Sequence, residues 1–269
     1  MPRGTLGPVL PIAVSKFLVV TGDPEHRTPN PRKVEYFDLD NPSSSCNIPD
    51  FPIELFYSTG GFTRYGPLLC SGMGFNSGRE YTLKSGCYLL KQGRFQKVQS
   101  LNTARAAAAS VITTNNDLWV IGGMSGENRD ANSLSSTELV SLGEDSRDKS
   151  KFDRLQPTLP TGLHLACIAR ISKEKAILIG GEKEDRQKKE TYYLNLKDFI
   201  IYAGPTLNIA RREAGCASFQ SRGQTVTVVA GGYGREENGG HGSFDSVEYL
   251  ADDGQWKIGK QQSHILQCL

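Results

Sequence analysis

The stretch that decides the fold is Leu118-Trp119-Val120-Ile121-Gly122-Gly123, an apolar run closed by two glycines. The same outline returns in Phe17-Leu18-Val19-Val20-Thr21-Gly22, Pro67-Leu68-Leu69-Cys70-Ser71-Gly72, Ala176-Ile177-Leu178-Ile179-Gly180-Gly181 and Thr227-Val228-Val229-Ala230-Gly231-Gly232. Aligned on a small residue, the runs fall at 22, 71, 122, 180 and 231, with spacings of 49, 51, 58 and 51. Self-similarity at a period near fifty marks a repeat architecture, in which each unit buries its apolar face only against its neighbours.

Each run is followed by a β-branched or aromatic segment: Val34-Glu35-Tyr36-Phe37, Cys87-Tyr88-Leu89-Leu90, Thr137-Glu138-Leu139-Val140, Thr191-Tyr192-Tyr193-Leu194 and Val247-Glu248-Tyr249-Leu250. These short, partly alternating segments read as strands. A third element carries a large residue at Phe95, Phe152, Ile201 or Trp256. Turns at 101–105, 159–163 and 207–211 then lead into strands rich in small residues at 106–113, 164–171 and 214–219. Four strands per unit, small at one edge and bulky at the other, describe a propeller blade. Blades converge on the axis, where only small side chains fit, and splay apart outside, where large ones fill the gap. A glycine ending the second strand permits positive φ and close backbone approach.

The predicted fold is therefore all-β, one propeller domain over 1–269, with repeats at about 15–52, 53–101, 102–159, 160–207 and 208–262 and a tail at 263–269. Five four-stranded blades are visible. They close as a small ring, or they are five blades of an intended six. The second alternative is favoured, because no turn follows Trp256 and only residues 7–14 are left to supply the inner strand of repeat one. An open arc would leave sheet edges exposed.

Composition narrows the function. Lys and Arg total 31 against 29 for Asp and Glu, a net charge of +2 that excludes a strongly basic nucleic-acid binder. Apolar residues at 38% and charged ones at 22% suit an ordinary globular domain. Glycine, 29 of 269, stands above the usual ~7% and fits many tight turns. No apolar run approaches the ~18 residues a spanning helix needs. The N-terminus lacks the pattern of a signal peptide and no Asn-x-Ser/Thr acceptor occurs, so the expected location is the cytoplasm.

The glycine doublets at 122–123, 180–181 and 231–232, the tyrosines at 88, 192 and 249, and Trp256 resemble the kelch family over about residues 15–262. The chain departs from that pattern at Gly22-Asp23 and Ser71-Gly72, in having tryptophan only once as outer anchor, and in showing five repeats where kelch propellers have six or seven. The resemblance implies a protein-interaction module that binds a partner with the loops of one face. In kelch relatives, turn arginines grip acidic motifs, and the matching residues are Arg105 and Arg211, with Arg212 beside the second; Leu163 breaks the series. Alternatively, these arginines cap turn carbonyls or bridge blades. Met124, Glu182 and Tyr233 follow the doublets and are expected on the same face. Replacing Arg105 and Arg211 is expected to weaken capture without lowering the melting temperature. Many kelch proteins are the substrate-recognising part of cullin ubiquitin ligases, although this chain has no room for the BTB and BACK domains used there. The alternative function is a carbohydrate-binding or sugar-modifying propeller, as in sialic-acid-handling relatives.

No catalytic constellation is identified, so no enzyme activity, cofactor or metal is expected. The histidines at 26, 164, 241 and 264 are scattered, and no zinc spacing occurs among the cysteines. The copper-oxidase arrangement of some relatives has no match. The run Gly231-Gly232-Tyr233-Gly234 lacks the lysine and helix of a phosphate loop. The carboxylate pairs Glu236-Glu237 and Asp252-Asp253 read as solvated turns. Cys70 and Cys87 fall on adjacent strands where a disulfide is geometrically conceivable, though free thiols are favoured. Cys167 and Cys216 read as small packing residues of inner strands.

Overall fold

The structure is a computed structural model that describes residues 9–13, 15–20, 32–75, 80–126, 132–143, 153, 155–235 and 240–259. Its sheets are antiparallel and ringed round an axis, a β-propeller of five blades. Blade 1 pairs Val9–Ala13, Lys16–Val20 and Val34–Asp38. Blade 2 pairs Thr59–Thr63, Gly66–Phe75, Tyr81–Lys91 and Arg94–Lys97. Blade 3 holds Ala109–Ile112, Leu118–Ile121 and Thr137–Val140. Blade 4 holds Cys167–Arg170, Lys175–Ile179, Thr191–Asn195 and Ile200–Ala203. Blade 5 holds Gly215–Ser221, Gln224–Ala230, Val247–Leu250 and Trp256–Ile258. Among the described residues no helix is long and apolar enough to cross a membrane.

Two blades depart from the expected four strands. In blade 1 the outer place is taken by coil in which Pro49 and Pro52 bracket Phe51, and proline cannot donate to a ladder. Phe51 still fills the gap between blades 1 and 2, edge-on to Tyr88 and Phe95. In blade 3 a single bridge from Ser136 to Thr158 stands where an outer strand was expected. Its expected anchor, Phe152, lies outside the described residues, as do Gly22-Asp23, Glu236-Glu237, His26, His264 and the tail.

The repeat registers well except in blade 1. Leu68, Trp119 and Ile177 occupy one position in successive blades, each fully buried and facing the following blade. In blade 1 that position falls to Leu18 and not to Val19, one residue earlier than alignment on Gly22 implies.

The glycine doublets do what the sequence requires of them. Gly122 and Gly123 have φ of 64° and 97°, and Gly180 and Gly181 have 60° and 107°. A Cβ on Gly122 would lie 2.3 Å from the Leu163 carbonyl oxygen, in the next blade. The second glycine donates its N–H to that same carbonyl at 2.8 Å, and Gly181 does likewise to Arg211. These two doublets thus stitch blades 3 and 4 each to the next.

The cysteines correct the reading from sequence. Cys70 is bonded to Cys87 on the adjacent strand, with Cα atoms 4.0 Å apart. Cys167 is bonded to Cys216, 6.1 Å away, joining the inner strands of blades 4 and 5. Convergence of inner strands on the axis is what brings this second pair together.

Candidate functional site

The turns that enter the inner strands place four residues at equivalent points: Leu55, Arg105, Leu163 and Arg211. All four are buried. Arg105 donates from Nη1 to the carbonyls of Gly122 (2.8 Å) and Ser136 (3.1 Å), and from Nη2 to Glu138 (2.6 Å). Arg211 repeats the pattern with Gly231 (2.7 Å), Ser246 (3.1 Å) and Glu248 (3.0 Å). Each glutamate also accepts from its own turn: Glu138 from the N–H groups of Asn102 and Thr103, Glu248 from those of Asn208 and Ile209. Burial pulls both guanidinium pKa values below their ordinary range, and the facing glutamates oppose it.

Arg105 and Arg211 are 0% and 1% exposed. Apart from Arg211 Nε, which makes no hydrogen bond among the described residues, their groups are spent inside their own blades, and burial gives them a clamping role in place of the expected grip on an acidic motif. The expectation that their loss spares stability fails with it, because removing one member of a buried pair strands the other.

The next residue along each turn points differently. Arg212 bridges to Tyr233, as His164 does to Glu182 and Ala106 to Met124. Its side chain is 26% exposed. Nη1 holds both oxygens of Glu182 at 2.6 Å, and the guanidinium lies 5.1 Å from the centre of the Tyr233 ring. Nε lies 3.7 Å from Glu213 and makes no hydrogen bond among the described residues. Glu182 is buried and also accepts from Gln187 Nε2 at 2.8 Å. His164 Nε2 sits 3.4 Å from Glu182, and its Nδ1 is 2.9 Å from Ser133 Oγ. Burial lowers the His164 pKa, with Glu182 pulling the other way. Tyr57, from blade 2, feels Glu213, Arg212 and Glu182 across the ring, and its pKa is raised chiefly by burial.

This cluster lies where the turns meet at the axis. Tyr57, Ala107, Leu165 and Glu213 follow the turn residues of blades 2 to 5, all with φ between 53° and 55°. Ala107 N–H donates to the Tyr57 carbonyl, Leu165 to Ala107, and Glu213 to Leu165, a backbone chain running from blade to blade. Non-glycine residues held in the left-handed region concentrate at functional positions.

Of the residues expected from sequence, Arg212, Glu182 and Tyr233 meet in one cluster. Met124 shares their repeat position in blade 3. Sequence reasoning missed His164 and Gln187, which come from blade 4 as Glu182 does, and Ser133 and Tyr57, which come from blades 3 and 2. It also missed Glu138 and Glu248, although a signal existed: among repeats with described turns, glutamate stands in the third strand only where arginine stands in the turn. Among the described residues no group of three or more His, Cys, Asp and Glu is placed to hold a metal ion.

No family model matches the chain, and no curated protein does. Among solved structures it superimposes on YjhT with a TM-score of 0.70 and 13% identity, over 97% of this chain and 85% of that one. At that identity the likeness is one of fold.

Proposed function

We propose that the protein is a kelch-type interaction module that captures an acidic segment of a partner protein at the axis mouth. The observation that carries this reading is Arg212: it is held by Glu182 and Tyr233, yet its side chain stays 26% exposed. A preorganised guanidinium makes charge-assisted contacts with carboxylates at reduced entropic loss. Tyr57, Tyr233 and Met124 supply surrounding contact surface. Two disulfides fit an oxidising compartment better than the cytoplasm expected from sequence.

A second reading, a carbohydrate-binding propeller, is favoured by one feature. Glu182, His164, Ser133 and Gln187 converge within hydrogen-bonding reach of one another, as polar sugar recognition requires. No catalytic step is assigned to them.

Arrays of acidic peptides and of glycans, probed with the wild type, Arg212→Ala and Glu182→Gln, separate the readings. Retention of acidic peptides, lost in Arg212→Ala at unchanged melting temperature, supports the first. A single glycan retained by the wild type and lost in Glu182→Gln, with no peptide held, supports the second and removes the first.

A further inference from the structure

The residues at the axis mouth occupy equivalent positions in blades 2 to 5. In each blade one residue of the entering turn bridges to the residue after the small pair: Phe56 to Met73, Ala106 to Met124, His164 to Glu182 and Arg212 to Tyr233. Together these pairs divide the mouth in two. Blades 2 and 3 place only apolar side chains there, whereas blades 4 and 5 place an imidazole, a carboxylate, a guanidinium and a phenol. Ser133, paired with Met124 and hydrogen-bonded to His164, marks where the halves meet.

The sheet of blade 2 extends the apolar half. In blades 3 to 5 the second strand stops at the doublet and a separate short hairpin follows. In blade 2 the strands Gly66–Phe75 and Tyr81–Lys91 run on past Ser71-Gly72 as one ladder. Met73 stands opposite Leu83 and Phe75 opposite Tyr81, so these four side chains share one face. Gly74 is on the other face, where a Cβ would meet the Glu54 carbonyl and Leu55, a member of the core between blades 1 and 2. The apolar face is therefore turned away from that core. Phe56, buried at its foot, lies 5.8 Å from the Phe75 ring and 5.6 Å from that of Tyr81, which are 4.8 Å from each other. Tyr81 remains 42% exposed, and Met73, Phe75 and Met124 are half-buried. Single exposed apolar side chains are ordinary, but a contiguous group rimmed by polar residues marks an interaction surface.

Tyr57 connects the two halves. Its carbonyl accepts from Ala107 at the axis and its ring meets that of Phe56. Its phenol, raised in pKa chiefly by burial, is acted on by Glu213, Arg212, Glu182 and Tyr81 alike. The ionic half has room for one carboxylate and not for a run of them. Glu182 and Glu213 stand 2.6 and 3.7 Å from the Arg212 guanidinium, and further acidic groups would meet their charge.

We propose that the segment captured at Arg212 carries a bulky apolar side chain close in sequence to its carboxylate, and that this side chain docks on the shelf of Phe75, Tyr81 and Met124. The inference rests on the reading of Arg212 as the carboxylate's partner and adds the second half of what that partner must present. The shelf offers aromatic faces and edges and a pliable thioether, which suit an aromatic or long aliphatic side chain. Anchors of this kind carry a large share of binding energy, while the ion pair at the half-exposed Arg212 fixes orientation.

Short Gly-Ser peptides with one central Glu, alone or with Phe placed at each other position in turn, are the probes. Each is titrated into the 1–269 chain and followed by amide chemical shifts. At the best position Phe should tighten binding at least about tenfold over the Glu peptide. Tyr81→Ala should bring that ratio close to one, Tyr81→Phe should keep it, and Arg212→Ala should weaken both peptides. A Glu peptide that binds through Arg212 but gains nothing from Phe at any position overturns the inference and leaves the reading of Arg212 standing. An advantage that survives Tyr81→Ala overturns it as well. If neither peptide binds, or if Arg212→Ala changes neither, the reading of Arg212 fails and the inference falls with it. The comparison between peptides needs no change in the protein, so it decides the matter even where Tyr81→Ala disturbs the hairpin.

Discussion

Blades 3 and 5 close their turns with a buried ion pair, whereas blades 2 and 4 close the same turns with apolar side chains. Arg105 and Arg211 face Glu138 and Glu248. At the matching positions Leu55 joins Tyr88 in one core, and Leu163 joins Tyr192 in another. Both partners change together, and the turn keeps its course. The position is therefore a packing problem with two solutions, and arginine there is no sign of recognition. A buried pair and a hydrophobic replacement of similar volume are often close in stability, while half of either is poor. In the proposed reading, recognition falls one residue along, to Arg212, whose counterpart His164 belongs to the same cluster.

The largest expected effect comes from breaking a pair. Arg211→Ala leaves Glu248 buried without its cation and should lower stability by ~3–5 kcal/mol. Arg105→Ala should lower it less, because the Glu138 side chain keeps 12% exposure to water where Glu248 keeps 0%. Denaturant titration measures both. The sharper test exchanges one solution for the other. Arg105→Leu with Glu138→Tyr should recover more than half of the loss seen in Arg105→Leu alone, an interaction energy of about 0.5–3 kcal/mol in a double-mutant cycle. Additive losses would mean that the two solutions are not equivalent.

A smaller effect is expected from pH. Burial depresses the His164 pKa in the folded state, with Glu182 opposing. The unfolded chain then binds more protons just below the ordinary histidine value of about 6.5, so stability rises with pH through that range and is lost as pH falls from it. His164→Gln should flatten this slope in melting curves recorded from pH 5 to pH 7.

The fold was legible because its signal is conformational. The left-handed conformation of each doublet favours glycine, so the pattern returns at Gly122, Gly180 and Gly231, and at Gly122 and Gly180 a carbonyl of the next blade also leaves no room for a side chain. Where a serine accepts the strain, as Ser71 does at φ 52°, the signal weakens but the apolar run still carries it. Blade 1 misled by one residue because alignment on Gly22 ignored which face of Lys16–Val20 meets blade 2. The cluster at the axis was half legible. Glu182 and Tyr233 follow their doublets and Arg212 adjoins a turn, so local position found them. His164 reaches Glu182 through a bridge within its own blade, and Ser133 and Tyr57 reach the same place only through the packing of successive blades, which no local pattern encodes. The pairing of Arg105 with Glu138 spans 33 residues and was readable only by comparing repeats with each other.

The most direct test of the division between clamping and recognising arginines is Arg212→Ala, assayed by thermal unfolding and by acidic-peptide capture on the same sample. The expected result is a melting temperature within about 2 °C of the wild type, as for a partly exposed surface side chain, with capture reduced at least tenfold. A melting temperature that falls as far as that of Arg211→Ala, with capture retained, would contradict it.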